Sequence, residues 1–228
     1  DLVISSFSDL HSNLNGSLRI FHHVMEEEIP EANTIIGTNG FFRYIGENIG
    51  RPTDFNGDGI LDLVFTSNRF YADIGANTII AYGPFADGIH GIRELPLTVY
   101  YDPYTEEENV PRHCVEVIGD ATGDGKRNLL IGDKFQNDDG AIYLIHNIQE
   151  GFWELSSAGV ALQTAGNVSS QMGRCRENWS NAPFQQKFMS PGDIDGDGLH
   201  DILISAWQVD ENDSSIYNQV SLIWGAEQ

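Results

Sequence analysis

A nine-residue acidic pattern occurs three times in the chain and constrains its fold more than any other feature. The pattern is D-x-[DNT]-G-D-G-x-x-[DN], and its copies cover residues 54–62, 120–128 and 193–201. Each copy runs directly into a short apolar segment, and the chain opens with the second half of a fourth copy, at residues 1–6. The final positions of the four copies are 61, 66 and 73 residues apart. Similarity at such a spacing is typical of a repeat protein.

Strand-like segments recur at fixed places around these copies. Each copy is followed by a polar loop and then by an apolar segment led by Gly or Asn, at residues 16–21, 77–82, 140–145 and 218–224. Further strand candidates are residues 33–37, 44–51, 95–101, 113–118, 158–165 and 185–189. Their content of Ile, Val, Leu and aromatic residues favours strand over helix, and helical periodicity occurs only near residues 20–28. One unit is therefore about four strands in roughly 65 residues.

Repeated four-stranded units predict an all-β fold, namely a β-propeller. We interpret the chain as a single propeller segment of about 3.5–4 blades, with approximate bounds 1–42 (partial), 43–110, 111–170 and 171–228 (partial). Several segments are apolar on both faces, as expected of strands packed between neighbouring sheets. Because a closed propeller usually has four to eight blades, the chain is expected to be part of a ring. It is either a fragment of a longer chain or a subunit that completes its ring with another copy.

The acidic loops have the chemistry of hard-cation sites. Positions 1, 3, 5 and 9 carry oxygen side chains, and the Gly after position 5 allows the turn that brings in the carbonyl of position 7. Calcium, which takes six to eight oxygen ligands in flexible geometry, fits such a loop better than magnesium. Position 12 is apolar instead of Glu, which argues against an EF-hand. A single copy can be an ordinary Asx-rich turn without a metal, but three copies with clustered carboxylates favour a bound cation.

The pattern predicts a set of calcium ligands for two to three ions. In the first loop they are Asp54, Asn56, Asp58, the carbonyl of Ile60, and Asp62. In the second they are Asp120, Thr122, Asp124, the carbonyl of Lys126, and Asn128. In the third they are Asp193, Asp195, Asp197, the carbonyl of Leu199, and Asp201. Because carboxylate count tunes affinity, we expect the third site to be the tightest and the second the weakest. Asp1 would be the last ligand of a fourth loop.

These loops and their spacing resemble the FG-GAP repeats of the integrin α-subunit propeller and its relatives. The resemblance implies a β-propeller, usually seven-bladed, with a calcium loop between the first two strands of a blade. The Phe-Gly and Gly-Ala-Pro signatures of the family persist only as echoes, in Tyr82-Gly83-Pro84 and Gly140-Ala141. The resemblance therefore implies a fold and calcium binding, but not one activity.

Charge excludes two classes of partner. The chain has 34 acidic and 12 basic residues, a net charge of -22, whereas nucleic acids and anionic membranes are bound through Lys and Arg. No apolar stretch reaches the roughly 18 residues of a membrane span, so membrane insertion is not expected. Sequons at Asn15, Asn167, Asn178 and Asn212, and calcium loops suited to extracellular calcium, favour an extracellular or cell-surface protein and a glycoprotein. The two cysteines, Cys114 and Cys175, form either one bridge or two separate thiols.

The leading functional hypothesis is an extracellular calcium-binding module for adhesion, ligand binding or assembly, with structural metals. Its partner would be a protein or glycan ligand, another copy, or the remainder of the propeller. Aromatic residues in irregular segments are candidates for ligand contacts or for packing: Phe70, Tyr71, Tyr101, Tyr104 and Trp179. No nucleophile-elbow, zinc-protease or phosphate-loop motif is present, so an enzyme is not the leading hypothesis. The propeller portion of a secreted carbohydrate- or lipid-cleaving enzyme is the first alternative, and a subunit of an extracellular filament is the second.

Overall fold

The structure is a computed structural model of the whole chain. It describes residues 2–6, 16–22, 31–37, 42–43, 45–46, 48–67, 69–70, 77–102, 113–133, 141–162, 170–171, 188–209 and 216–227. Several residues singled out in the sequence lie outside this set, namely Asp1, the four sequon asparagines, Cys175, Tyr71, Tyr104 and Trp179.

The regular secondary structure of the described residues is almost entirely β-strand, so the predicted all-β class is confirmed. The strands are β1 (Leu2–Ser6), β2 (Ser17–Phe21), β3 (Thr34–Gly37), β4 (Phe42–Arg43), β5 (Leu63–Ser67), β6 (Arg69–Phe70), β7 (Asn77–Ala81), β8 (Gly88–Gly91), β9 (Leu97–Tyr101), β10 (His113–Ile118), β11 (Asn128–Asp133), β12 (Ala141–Ile145), β13 (Gly151–Glu154), β14 (Val160–Leu162), β15 (Ser170–Gln171), β16 (Phe188–Gly192), β17 (Asp201–Val209) and β18 (Ile216–Ile223). The helical segments among the described residues are one turn of α-helix, α1 (Leu155–Ala158), and a 3-10 turn at Ile92–Glu94. The helical periodicity near residues 20–28 begins in strand, because Ile20 and Phe21 end β2, and residues 23–30 lie outside the described part.

Within the described residues these strands form four four-stranded sheets and one two-stranded sheet. Three of the larger sheets have the orders β1-β2-β3-β8, β13-β9-β7-β5 and β10-β11-β12-β14. In the fourth, β17 pairs with β15, β16 and β18, and the small sheet pairs β4 with β6. No sheet in the described part closes on itself. The architecture is therefore a series of separate small sheets, one for each repeat of the acidic pattern and its apolar partner segments.

Two outer strands, β8 and β13, were missed in the sequence. Strand β8 lies between β7 and β9 along the chain but pairs in parallel with β3 of the preceding sheet. Strand β13 likewise follows β12 but pairs with β9. Both are four residues long, begin with Gly and face solvent, with Ile89 74% and Phe152 59% exposed, so their apolar pattern is weak. Each of these two sheets is thus completed by a strand from the chain segment that builds the next sheet.

The chain divides into two compact units, each with its own core. The first comprises Asp1–Val110 and Gln149–Trp153, and the second comprises Pro111–Ile148 and Glu154–Gln228. The buried apolar core of the first unit is Leu18, Ile20, Ile36, Ile45, Leu63, Phe65, Ile79, Ala81, Ile92 and Val99. That of the second includes Ile118, Ala121, Leu130, Ile142, Leu144, Phe188, Ile202 and Ile204. Strands β5, β7 and β11 are buried along their whole length, which confirms the prediction of strands covered on both faces.

Candidate metal centres

Each acidic pattern connects two antiparallel segments of the chain, and in the second and third loops both segments are strands. The second loop joins β10 to β11, and the third joins β16 to β17. The first leads into β5, and the backbone groups of Thr53 and Asp62 exchange two hydrogen bonds across its base, at 3.1 and 3.0 Å. The interpretation of these loops as hairpin connections instead of helix-flanked EF-hands is confirmed.

The first aspartate of each loop accepts hydrogen bonds from the backbone of its own loop. In the third loop, the Oδ1 atom of Asp193 accepts the N–H of Gly196 at 2.7 Å, and its Oδ2 atom accepts the N–H of Gly198 at 2.9 Å. The same two bonds, to the glycines at positions 4 and 6, are made by the first aspartates of the other loops, Asp54 and Asp120. Position 1 therefore draws the loop into a tight ring around its carboxylate.

The glycines at positions 4 and 6 are required by backbone conformation. Their φ angles lie between 78° and 94°, in the left-handed region that disfavours other residues: Gly57, Gly59, Gly123, Gly125, Gly196 and Gly198. At five of these six positions a Cβ atom would meet nothing within 4 Å, Gly123 being the exception. The sequence interpretation assigned the turn to position 6 alone, whereas the structure shows a left-handed residue at position 4 as well.

The aspartates at position 5 of all three loops are exposed, as is Asp195 at position 3 of the third loop, whereas Thr122 at position 3 of the second loop is buried. The Oδ1 atom of the position-5 aspartate accepts the N–H of position 7 at 2.7–2.8 Å in all three loops. In the third loop, the carboxylate oxygens of Asp193, Asp195 and Asp197 lie within 4.8 Å of one another. These predicted ligands are therefore brought together at one point, and they supply only oxygen, the donor type that calcium prefers.

The ninth residue has a different role, because it is completely buried. The Oδ2 atom of Asp62 accepts the N–H of Phe55 at 2.8 Å, and its Oδ1 atom accepts the N–H of Gly83 at 3.1 Å. Asp201 makes the equivalent bonds in the third loop, to Ile194 at 2.7 Å and to Gly225 at 3.0 Å. Because each carboxylate oxygen has a second lone pair, position 9 stays a predicted ligand while it anchors the loop to the end of another strand.

Gly83 and Gly225 were not identified as site residues in the sequence. Each stands two residues after the end of a strand, β7 or β18, and leaves no room for a side chain. A Cβ atom on Gly83 would lie 2.7 Å from the side chain of Ile60 and 3.0 Å from the carbonyl oxygen of Leu61. A Cβ atom on Gly225 would lie 2.6 Å from the side chain of Leu199. The signal was present in the sequence, as an aromatic residue followed by Gly, but only the strand register shows that it faces the loop.

The second loop departs from this arrangement. The Oδ1 atom of Asn128 accepts the N–H of Ala121 at 2.7 Å, but its buried Nδ2 atom has no acceptor among the described residues. The strand registers place Asn147 in this repeat where the first repeat has Gly83. The neutral ninth residue and the missing glycine therefore occur together, in the loop with the fewest carboxylates.

Neighbouring negative charges raise the pKa of a loop carboxylate, whereas backbone N–H donors lower it. Burial raises the pKa of Asp62 in spite of its two backbone hydrogen bonds, and the charges of Asp58 and Asp54 raise that pKa further. At Asp120, partial burial alone would raise the pKa, but four backbone N–H groups of the loop outweigh burial and lower the pKa. The first loop thus holds mutually repelling carboxylates that a cation would relieve.

Outside the loops, the described residues of the second unit contain a buried histidine–aspartate pair. His113 and Asp133 are cross-strand neighbours in β10 and β11, and each is 1% exposed. Burial lowers the pKa of His113 to about 4, against the opposing effect of the Asp133 charge. The imidazole is therefore neutral at physiological pH and shielded from solvent, which does not suit a proton-transferring group in an open active site.

An open cleft of about 580 Å³ lies in the first unit. Its lining is Arg93, Leu95, Leu97, Glu150, Gly151 and Phe152. The lining offers one carboxylate and no histidine, whereas acid–base hydrolysis of a glycoside needs two carboxyl groups. The lining of this cleft therefore lacks the second carboxyl group of that mechanism.

Two further sequence expectations can be checked in part. Cys114 is disulfide-bonded, which agrees with a bridge instead of two free thiols. Tyr101 packs against the core of the first unit, so this aromatic residue serves packing. None of the helices in the described part has the length and apolar character that a membrane crossing requires.

Comparison with known proteins gives a partial, distant match. No family model matches the chain. The chain is similar to Integrin alpha pat-2 of Caenorhabditis elegans, with 29% identity over 100 residues. The match covers 42% of this chain and 7% of the relative, so the chain corresponds to a small part of that protein. The similarity suggests an integrin-like link, in agreement with the resemblance of the loops to integrin repeats.

Proposed function

We propose that the chain is a calcium-stabilised segment of an FG-GAP-type β-propeller that acts outside the cell in adhesion, ligand binding or assembly. The metals rigidify hairpins, and the ligand is a protein bound elsewhere on the module. The ligand proposal rests on the partial similarity to an integrin α chain.

The observation that carries this proposal is the common construction of the three loops. All share left-handed glycines at positions 4 and 6, a ring of backbone N–H groups around the first carboxylate, and a buried ninth residue. An ordinary Asx turn needs one such side chain, whereas each of these loops places four oxygen side chains in register. Calcium would be held by the side chains at positions 1, 3, 5 and 9 and by the position-7 carbonyl.

Several observations support the propeller and its location. The four larger sheets among the described residues are four-stranded and appear once per repeat, and two of them are completed by a strand from the following segment. Disulfides persist mainly in oxidising compartments, so the bonded Cys114 supports an extracellular protein. Calcium loops of moderate charge are suited to extracellular calcium, where sites operate at Kd values of about 10⁻⁴–10⁻³ M.

Calcium titration of chelator-treated protein by calorimetry, with thermal unfolding followed in parallel, tests the proposal. We expect two or three ions to bind and the melting temperature to rise. At a calcium concentration of about 100 times Kd, one site adds roughly 2.7 kcal/mol, or several degrees for a chain of this size. Asp197→Asn should remove the tightest event. Asp87→Asn, which changes an exposed aspartate outside the loops, should leave all events unchanged.

No binding heat and no change in melting temperature would overturn the calcium proposal. The loops would then be Asx-rich turns, and the uncommitted acidic residues would return as candidates for catalysis. Binding with equal loss in Asp197→Asn and Asp87→Asn would instead indicate general attraction of cations to an acidic surface.

A further inference from the structure

The second acidic loop and the residue before it are hydrogen-bonded to the third loop and to the segment after β18, all within the same compact unit. The backbone N–H of His200, at position 8 of the third loop, donates to the carbonyl oxygen of Asp120 at 2.7 Å. The N–H of Ala226 donates to the carbonyl oxygen of Ala121 at 3.0 Å. The N–H of Gly119 donates to the Nδ1 atom of the His200 ring at 3.2 Å. The start of the second loop is thus bonded to the end of the third.

One of these bonds connects the two predicted sites through a single peptide group. The carbonyl of Leu199 is the predicted position-7 ligand of the third loop, and the N–H of the same peptide group is the His200 donor to Asp120. A cation on the carbonyl oxygen withdraws electron density from the amide and makes its N–H a stronger donor. The acceptor belongs to Asp120, whose side chain is the first predicted ligand of the second loop. Binding at one site therefore acts on the backbone that carries the first ligand of the other.

The groups that make this connection are closely packed. A Cβ atom on Gly119 would lie 2.3 Å from the His200 ring, so the ring sits directly on the Gly119 backbone. A Cβ atom on Gly225 would lie 3.0 Å from the carbonyl oxygen of His200 and 3.4 Å from that of Ala121. Because such close-packed groups cannot shift independently, ordering of the third loop restricts the second.

We propose that the second and third loops bind calcium as a coupled pair, in which occupation of the third site raises the affinity of the second. This inference rests on the proposed calcium binding. The third loop, with four carboxylates, fills first. The second loop, with two, reaches its full calcium affinity only when the third is occupied. By linkage, occupation of the second site raises the affinity of the third by the same factor.

The sign of the coupling separates it from direct electrostatics. An empty third loop leaves its carboxylates uncompensated, and their charge attracts a cation to the nearby second loop. Charge alone thus predicts that disabling the third site strengthens the second. Coupling through the shared peptide group predicts that disabling the third site weakens the second.

Site-resolved calcium titration by ¹⁵N NMR of the whole chain tests the proposal. The amides of Gly125 and Gly198 are the probes, because each donates to the first carboxylate of its own loop, at 2.6 and 2.9 Å. In Asp197→Asn, which alters the third loop alone, the calcium midpoint reported by Gly125 should rise about fivefold or more. In Asp124→Asn, the midpoint reported by Gly198 should change little, because the third loop of the wild-type chain fills while the second is still empty. His200→Ala keeps every oxygen ligand but removes the ring from Gly119, and it should reduce the coupling factor.

The possible outcomes distinguish this inference from the function on which it rests. If neither amide responds to calcium in the wild-type chain, the calcium proposal itself fails. If both respond but Asp197→Asn leaves the Gly125 midpoint unchanged or lowers it, the sites bind calcium without positive coupling and this inference is overturned. Asp195→Asn provides a second disabling variant of the third loop, and spectra in chelator show whether each variant is folded. An unchanged coupling factor in His200→Ala would exclude the ring contact with Gly119 and assign the coupling to the shared peptide group alone, which this variant keeps.

Discussion

Within each loop, the first and ninth residues differ in what the sequence could predict of them. Position 1 could be assigned from spacing, because the groups that it binds lie within the next five residues. Position 9 could be assigned only as a ligand. Its burial and its bond to Gly83 depend on a partner 21 residues away, which spacing within the loop does not contain. Residue type and local spacing thus predicted the donor set, while the anchoring of that set depends on tertiary contacts.

Replacing the neutral ninth residue of the second loop should strengthen that loop. Asn128→Asp adds a third carboxylate and exchanges a buried amide that lacks an acceptor for an oxygen that can accept a hydrogen bond. An unsatisfied buried polar group costs about 1–3 kcal/mol. In calcium we therefore expect the free energy of unfolding to rise by an amount of that order and the melting temperature to rise by several degrees. In chelator the gain should be smaller, because the new carboxylate repels Asp120 and Asp124. A larger gain in chelator than in calcium would contradict the placement of this residue at a cation site.

Acid should destabilise the protein through His113. Its pKa is about 4 in the folded chain and about 6.5 when unfolded, so above pH 6.5 the group is neutral in both states and costs nothing. As the pH falls from 6.5 towards 4, the unfolded state takes up a proton that the folded state does not, and stability falls by up to about 1.4 kcal/mol per pH unit. His113→Gln should flatten this dependence by roughly one proton. Urea unfolding of the wild type and of His113→Gln at pH 7, 6 and 5 measures the difference in stability. If the two proteins lose stability equally as the pH falls, the imidazole is not buried as described.

At the scale of elements, the repeat pattern predicted the inner strands but not the strands that complete the sheets. Strands β5, β11 and β12 carry apolar runs because they are covered by neighbours, and the sequence located them well. Strands β8 and β13 are exposed and pair with the sheet of the preceding repeat. Their pairing depends on which sheet edge is open, a property of the assembled fold that leaves little trace in a short, Gly-led segment.

The contact between a loop and the end of another strand should be sensitive to one methyl group. Gly83→Ala places a Cβ atom against the side chain of Ile60 and the carbonyl oxygen of Leu61, and the backbone oxygen cannot move without shifting the loop. Overpacking of this kind costs about 1–3 kcal/mol, and it should also weaken calcium binding at the first loop by displacing the N–H that holds Asp62. Thermal unfolding in chelator measures the first effect, and calcium titration measures the second.

Gly225→Ala is the matched substitution at the strand end that contacts the third loop, and it should have the same two effects. If both variants keep wild-type stability and calcium affinity, the two glycines do not anchor the loops. Loss of stability with unchanged affinity in both would show that the contact supports the fold alone.

At the scale of the whole molecule, the net charge of -22 sets the background against which calcium must be judged. Self-repulsion of such a charge destabilises the compact state, and any dissolved salt reduces it by screening. The same excess of carboxylates predicted the calcium loops and the absence of nucleic-acid binding. Charge count alone could not separate the carboxylates that converge in a loop from those that are spread over the surface. The converging set in the third loop becomes distinct only once the turns are formed.

Salt and calcium should therefore stabilise the chain in separable ways. In chelator, raising NaCl from about 0.01 M to 0.5 M shortens the Debye length from about 30 Å to less than 10 Å, and the melting temperature should rise as repulsion is screened. Millimolar calcium added at 0.5 M NaCl should raise it further, because ligands in direct contact with an ion are screened much less than distant charges. Magnesium at the same concentration should add less, since it retains its water and requires a tighter octahedron. If the calcium increment vanishes at high salt, the loops attract cations only as part of the overall acidic surface. If it persists for calcium and not for magnesium, the stabilisation comes from sites built by the loops.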